Sequence, residues 1–168
     1  MKQLWAPWRM AYIEASTREA GCIFCTKFQS PDPRTNLVLA HTPYTVVMLN
    51  KFPYNNGHLL LAPKRHEHEL AQLPADDFAD LNETLRRSVA IVRQIFQPGG
   101  VNLGMNLGKC AGAGIEDHLH WHIVPRWEGD TNFMPVLGDT KVIPQSIEAL
   151  LRLMREAAPR LGLPAIRG

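Results

Sequence analysis

Three of the chain's 7 histidines stand at alternate positions in "DHLHWHIVPRW" (117–127): His118, His120 and His122. On an extended strand, side chains alternate between faces. The three imidazoles therefore share one face, and Leu119, Trp121 and Ile123 share the other, which suits a core. Imidazole titrates near neutrality and serves as nucleophile, proton carrier or metal ligand. A merely solvated strand face would more naturally carry Thr, Lys or Glu. One reading is a catalytic metal, since two imidazoles two residues apart on a strand can reach one ion. Such sites also recruit carboxylates, and only Glu116 and Asp117 adjoin the run. The other reading is a histidine nucleophile acting on phosphorus. It requires a partner that fixes the tautomer and a surface that holds an anion. The loop "AGAGI" (111–115), directly before the run, offers small residues whose N–H groups can approach phosphate oxygens closely.

A second constellation is "CIFC", the C-x-x-C pair Cys22 and Cys25. Such a pair serves redox chemistry or zinc. The βαβ context of a thioredoxin-like motif is missing, and a closed tetrahedral zinc needs two further ligands. Cys110 has no partner in this scheme and reads as a free, inert thiol.

Several elements must position these residues. Strand-like runs occupy 36–41, 44–50, 58–63, 101–108 and 118–125, with a turn at 52–58. Between the third and fourth runs the period changes. Phe78, Leu81, Leu85, Val89, Val92 and Phe96 form one stripe of a helix over 75–96, with Pro74 at its first turn and "QPGG" as its stop. A C-terminal helix over 145–157 presents Ile147, Leu150, Leu151 and Met154. The pattern is α+β, and its short connections favour an antiparallel sheet. Residues 1–20 read as an irregular arm whose Trp5, Trp8, Met10 and Tyr12 would pack against something, and 26–36 read as a loop.

At 168 residues the chain suits one domain: an arm carrying the cysteine pair (1–35), a core (36–133) and a C-terminal segment (134–168). The net charge of +2 is too mild for a nucleic-acid polymer as partner. No apolar leader or 18-residue apolar run appears, so neither export nor a membrane is expected. With three cysteines and no export signal, the expected location is cytoplasmic.

The run "HLHWHIVPR" resembles the signature of the histidine-triad (HIT) superfamily. "LNKFPYNNGHLLLAPKRH" (49–66) resembles the family's upstream element, and "NLGKCAGAGIEDHLHWHIVPRWEGDTNF" (106–133) its phosphate loop and active-site strand. "LWAPWRMAYI" and "GDTNFMPVLGDTKVIPQ" are similar to a bacterial branch that includes diadenosine tetraphosphate phosphorylases. The resemblance implies a HIT-like fold, a five-stranded antiparallel sheet with a central helix and a C-terminal helix. It also implies a homodimer with a continuous sheet and a nucleotide or dinucleoside polyphosphate substrate. Position by position, it makes His120 the nucleophile toward an α-phosphate, His122 the donor to that phosphate and His58 the supporting fourth histidine. Asn50 falls at the ribose-binding position, and Asn106, Gly112 and Gly114 fall in the phosphate loop. It places zinc on Cys22, Cys25, His66 and His118, with His68 as the nearest competitor for the third place.

One departure stands out. Many family members carry Gln and then Ser or Thr where this chain has Ala111-Gly112-Ala113-Gly114. That Gln helps activate water, so its absence leans toward phosphate as acceptor. The alternatives are a hydrolase of dinucleoside polyphosphates or nucleoside phosphoramidates, a zinc hydrolase with all three strand histidines on the metal, and a non-catalytic nucleotide-binding module. Trp121 reads as core. Arg126 and Trp127 stay open between packing and ligand-facing roles.

Overall fold

The computed structural model describes residues 21–30, 36–130 and 144–163. The expectations for the aromatic arm and for the loop through Pro135 and Gly138 fall outside them. Of the loop expected at 26–36, residues 31–35 do so too, while 26–29 are helical instead of irregular, because the chain continues the helix that starts after Cys22. Helix α1 (Ile23–Gln29) follows Cys22. Strands β1 (Val38–His41), β2 (Thr45–Leu49) and β3 (Leu59–Pro63) come next. Helix α2 (Ala75–Phe96), β4 (Gly100–Met105), β5 (Trp121–Arg126) and α3 (Ile147–Ala157) complete the order, with short 3-10 turns at Leu70–Gln72, Lys109–Ala111 and Ala158–Leu161. The strands form one sheet in the order β1-β2-β3-β5-β4, with every neighbouring pair antiparallel. The expected α+β architecture is therefore present.

Strands β2 and β3 are buried along their whole length: their apolar runs require it, and the one polar side chain, Thr45, bonds Asp80 at 2.7 Å. Helix α2 packs across β2, β3 and β5 and also meets α3. Its bounds are those expected from Pro74 and from the left-handed residue Gln97, whose N–H bonds the Arg93 carbonyl. The buried face differs from the expected stripe. Asp77, Leu81, Thr84, Ser88, Ile91 and Val92 point inward, Leu85, Val89 and Phe96 lie at the margin, and Phe78 is exposed. The helix is rolled because Asp77 turns in to meet Arg65, at 3.0 Å. Small Thr84 and Ser88 then face the interior. In α3, Leu150, Leu151 and Met154 are buried and Ile147 packs at the edge of the core, as expected.

The histidine run needs a correction. The strand begins at Trp121, so His118 and Leu119 precede it and His120 abuts it. The reason lies in β3. Leu61 pairs with Trp121, and two residues further on β3 ends at Pro63, which has no N–H to extend the ladder. Leu119 instead donates its N–H to the Glu67 carbonyl at 2.7 Å. Likewise β4 stops at Met105, before Gly108 turns with a φ of 77°. Among the described residues, no helix is long and apolar enough to cross a membrane.

Candidate active site and metal cluster

The C-x-x-C pair straddles the start of α1, with Cys22 capping the helix and Cys25 one turn along the same side. The loop after β3 brings His66, and the approach to β5 brings His118. Cys22 Sγ lies 3.1 Å from His118 Nδ1, and Cys25 Sγ lies 3.5 Å from His66 Nδ1 and 3.7 Å from His118 Nδ1. One ligand atom from each of the four residues falls within 4.8 Å of all the others. Tetrahedral zinc with sulfur and nitrogen ligands spaces them by about 3.3–3.8 Å, so the four fit a metal of that kind. The side-chain chemistry agrees. His118 Nε2 lies 2.8 Å from the Pro63 carbonyl, which only accepts, so Nε2 carries the proton and Nδ1 presents its lone pair to the thiols. Burial, and then its Cys22 neighbour, push the Cys25 thiol up. A divalent cation would reverse that tendency. His68 stays outside the cluster, exposed and beside Glu67. The choice of His66 over its competitor thus agrees with the geometry.

The next histidine is fixed by the first. His120 Nδ1 lies 2.8 Å from the His118 carbonyl, so Nδ1 carries the proton and Nε2 keeps a free lone pair. The ring is only 4% exposed, and burial holds its pKa below the usual imidazole value, hence neutral. Phe24, between the two cysteines, packs with its ring tilted against His118 and His120, at centroid distances of 5.1 Å and 5.0 Å. The same short helix therefore supplies the cluster's thiols and the wall behind His120.

At the far end, His122 meets His58 from the start of β3. His58 Nδ1 accepts from the Tyr54 N–H at 2.9 Å and faces Asn50 Nδ2 at 3.2 Å. Its proton is therefore on Nε2, which lies 3.0 Å from His122 Nδ1. His122 Nδ1 accepts, so the His122 proton sits on Nε2. Burial first, and His120 second, lower the His122 pKa to about 4. Near neutral pH His122 is uncharged, with one N–H left to offer. Asn50 also accepts from the Phe52 N–H at 2.9 Å. It braces the turn that presents His58.

In the loop expected to hold phosphate, Asn106 Nδ2 donates to the Gly112 carbonyl at 3.3 Å, and Gly112 adopts a φ of 89°. Gly114 lies two residues on, at an exposed position. Cys110 is a free, exposed thiol in the same loop. Trp121 is half-buried against the core, as expected. Arg126 resolves toward structure: it clasps Asp130 through Nε at 2.6 Å and reaches Asn102 at 2.9 Å. Asp130 also takes the Trp127 N–H and Asn55 Nδ2, tying the end of β5 to the 52–58 turn.

Sequence reasoning missed Tyr54 and Phe24 as parts of the site. Tyr54 lies inside the Asn50–His58 stretch and Phe24 between the two cysteines, so position alone was their signal. An arrangement with one lone-pair nitrogen, one N–H donor two residues on and a small-residue loop beside them can attack phosphorus while neutralising its oxygens.

Residues 33–129 match the HIT domain family. The chain is 34% identical over 161 residues to the AP-4-A phosphorylase of Mycobacterium tuberculosis, covering 92% of this chain and 83% of that one. It is 30% identical over 111 residues to the adenosine 5'-monophosphoramidase of Saccharomyces cerevisiae, covering 66% of each chain. A zinc-bound histidine triad family protein from Mycobacterium smegmatis superposes with a TM-score of 0.65 at 26% identity, over 87% of this chain and 96% of that one.

Proposed function

Because the chain belongs to the HIT domain family, we propose that it is a nucleotidyl transferase that takes diadenosine tetraphosphate and inorganic phosphate to ATP and ADP. The reading is carried by the His120 tautomer: Nδ1–H is committed to the His118 carbonyl, so Nε2 is the free nucleophile. In the first step Nε2 attacks an α-phosphorus. An N–P bond forms, the P–O bond to the β-phosphate breaks, and ATP leaves, with adenylate held on His120. In the second step a phosphate oxygen attacks that phosphorus, the N–P bond breaks, and ADP leaves. His122 donates its Nε2–H to a non-bridging oxygen, His58 holds His122, and the loop of Asn106, Gly112 and Gly114 receives the phosphate chain. Asn50 is the ribose-binding position.

Likeness to the mycobacterial phosphorylase supports this acceptor, as does the lack of Gln in the 111–114 loop. Water as acceptor, giving a hydrolase, is the second reading, favoured by likeness to the yeast phosphoramidase. Incubation with diadenosine tetraphosphate, with and without inorganic phosphate, separates the two. ATP plus ADP formed only with phosphate supports transfer. ATP plus AMP formed without phosphate supports hydrolysis.

The same reading puts zinc on Cys22, Cys25, His66 and His118. All four positions would be protein ligands, so the ion would cross-link α1 to the sheet and leave no place for water. The cluster's spacing and the zinc-bound mycobacterial neighbour support it. Thiols held for a metal suit a reducing cytoplasm. The reading further includes one domain spanning 1–168 and a homodimer whose two sheets join. Strand β4, an edge strand with Leu103 47% exposed, supports such a junction.

A further inference from the structure

Tyr54 is half exposed, yet its ring covers two imidazoles of the site. Its centroid lies 4.7 Å from that of His58 and 5.6 Å from that of His122, with the latter rings within 20° of parallel. Its own backbone N–H is the donor that fills His58 Nδ1. One residue thus sets the tautomer of the pair and roofs it.

We infer that Tyr54 is a positioning residue for the proposed nucleotidyl transfer: its N–H locks His58 as the Nε2–H tautomer, so that His122 accepts at Nδ1 and keeps its Nε2–H for the phosphate, and its ring keeps water off the His58–His122 pair and holds both imidazoles in place. This inference rests on the phosphate-binding role proposed for His122. The lock follows from counting protons. A second proton on His122 would go to Nδ1, directly against His58 Nε2–H, 3.0 Å away. His58 cannot yield by moving its proton to Nδ1, because that nitrogen faces the Tyr54 N–H and Asn50 Nδ2. Water could rescue the clash by hydrating both rings, and the phenol ring occupies the space it would need.

The titratable groups that face His122 are His58, His120 and Tyr54. Its cross-strand neighbours, Leu60 and Gly104, carry no charge. Burial is the first cause of its lowered pKa, and the Tyr54 ring is part of that burial.

The test compares wild type, Tyr54→Phe, Tyr54→Leu and Tyr54→Ala as full chains. Ring-nitrogen NMR on histidine-labelled protein follows the tautomers and the His122 titration. Rapid quench with diadenosine tetraphosphate follows formation of the nucleotidyl enzyme. In Tyr54→Ala, the His122 midpoint should rise by at least about one pH unit toward the free value. The rate of adduct formation should fall about tenfold, with KM within about twofold of wild type. Tyr54→Phe should rescue both readouts, and Tyr54→Leu should fall between. Unshifted His118 and His120 resonances confirm that the fold persists.

The inference is overturned if Tyr54→Ala leaves the His122 titration and the rate in place. It is equally overturned if Tyr54→Phe is as damaged as Tyr54→Ala, which would implicate the hydroxyl, or if KM alone rises, which would make Tyr54 a substrate contact. Should wild type form no nucleotidyl enzyme, the transfer reading fails, while the NMR titrations still decide whether Tyr54 governs His122.

Discussion

The two ends of the histidine run hold their imidazoles by different means. His118 is gripped by thiols from α1 and by the carbonyl that ends β3. His122 is held through His58 by N–H donors and by ring contacts. The first grip belongs to four groups that could hold a metal and leaves no nitrogen to spare. The second is a chain of ordinary hydrogen bonds, each worth about 1 kcal/mol net, and it leaves an N–H at its end. His120 lies between and takes its orientation from the rigid end, through the His118 carbonyl. In the proposed reading the contrast gives three like residues unlike duties: one end aims the nucleophile, and the other stays available to an anion.

The sharpest break of this division is His120→Ala. Loss of the nucleophile should lower turnover at least about 10³-fold while metal content, read by atomic absorption, stays at the wild-type level. A variant that keeps turnover, or that loses metal, would merge the two ends again.

Next comes Cys22→Ser at the rigid end. Metal should be lost, and thermal melting should fall by roughly 10 °C, at about 2–4 °C per kcal/mol for a chain of this size. A chelator should reproduce that drop in wild type. It should add nothing in the variant.

The softer end should answer to acid. The folded pKa of His122, about 4, lies below the ordinary imidazole value, so between those two pH values the unfolded chain binds a proton that the folded one refuses. Stability is unaffected by this group above about pH 7. It falls as pH drops through that window, by about 2 kcal/mol once partial exposure is allowed for. Urea unfolding at neutral pH and at pH 4.5 measures the loss, and His122→Asn should flatten that part of the profile.

Gly57 supports the same end. Its φ of 73° and the 2.5 Å approach of a Cβ to the Phe96 ring leave no room for a side chain before His58. Gly57→Ala should cost about 1–3 kcal/mol and slow adduct formation, with metal retained. The smallest effect belongs to His68→Ala, which should change stability by under about 0.5 kcal/mol and leave metal content alone. His66→Ala should behave like Cys22→Ser.

Much of this arrangement is legible in the sequence because it is written in short windows. Pro74 and the stretch from Gln97 to Gly99 punctuate α2, and its observed ends follow them. Apolar runs mark β2 and β3. The inward face of α2 departs from its hydrophobic stripe, because counting apolar residues favours Phe78 whereas an ion pair to Arg65 draws Asp77 inward. The start of β5 departs from the histidine run for a similar reason, since its ladder is ended by a proline on another strand. The H-x-H-x-H spacing and the C-x-x-C pair marked candidate residues, and the family resemblance supplied the role expected of each.

What the sequence by itself determined was which side chains stand together within a segment and which chemistry they command, because alternation along an extended segment and C-x-x-C spacing are local properties. Which nitrogen of His118 and which of His122 carries the proton was decided only by tertiary structure. The acceptors and donors that settle it come from far along the chain: Cys22 lies 96 residues from His118, Pro63 lies 55 from it, and His58 lies 64 from His122. An imidazole offers two nearly equivalent sites to one proton, and the partner brought across the fold makes the choice.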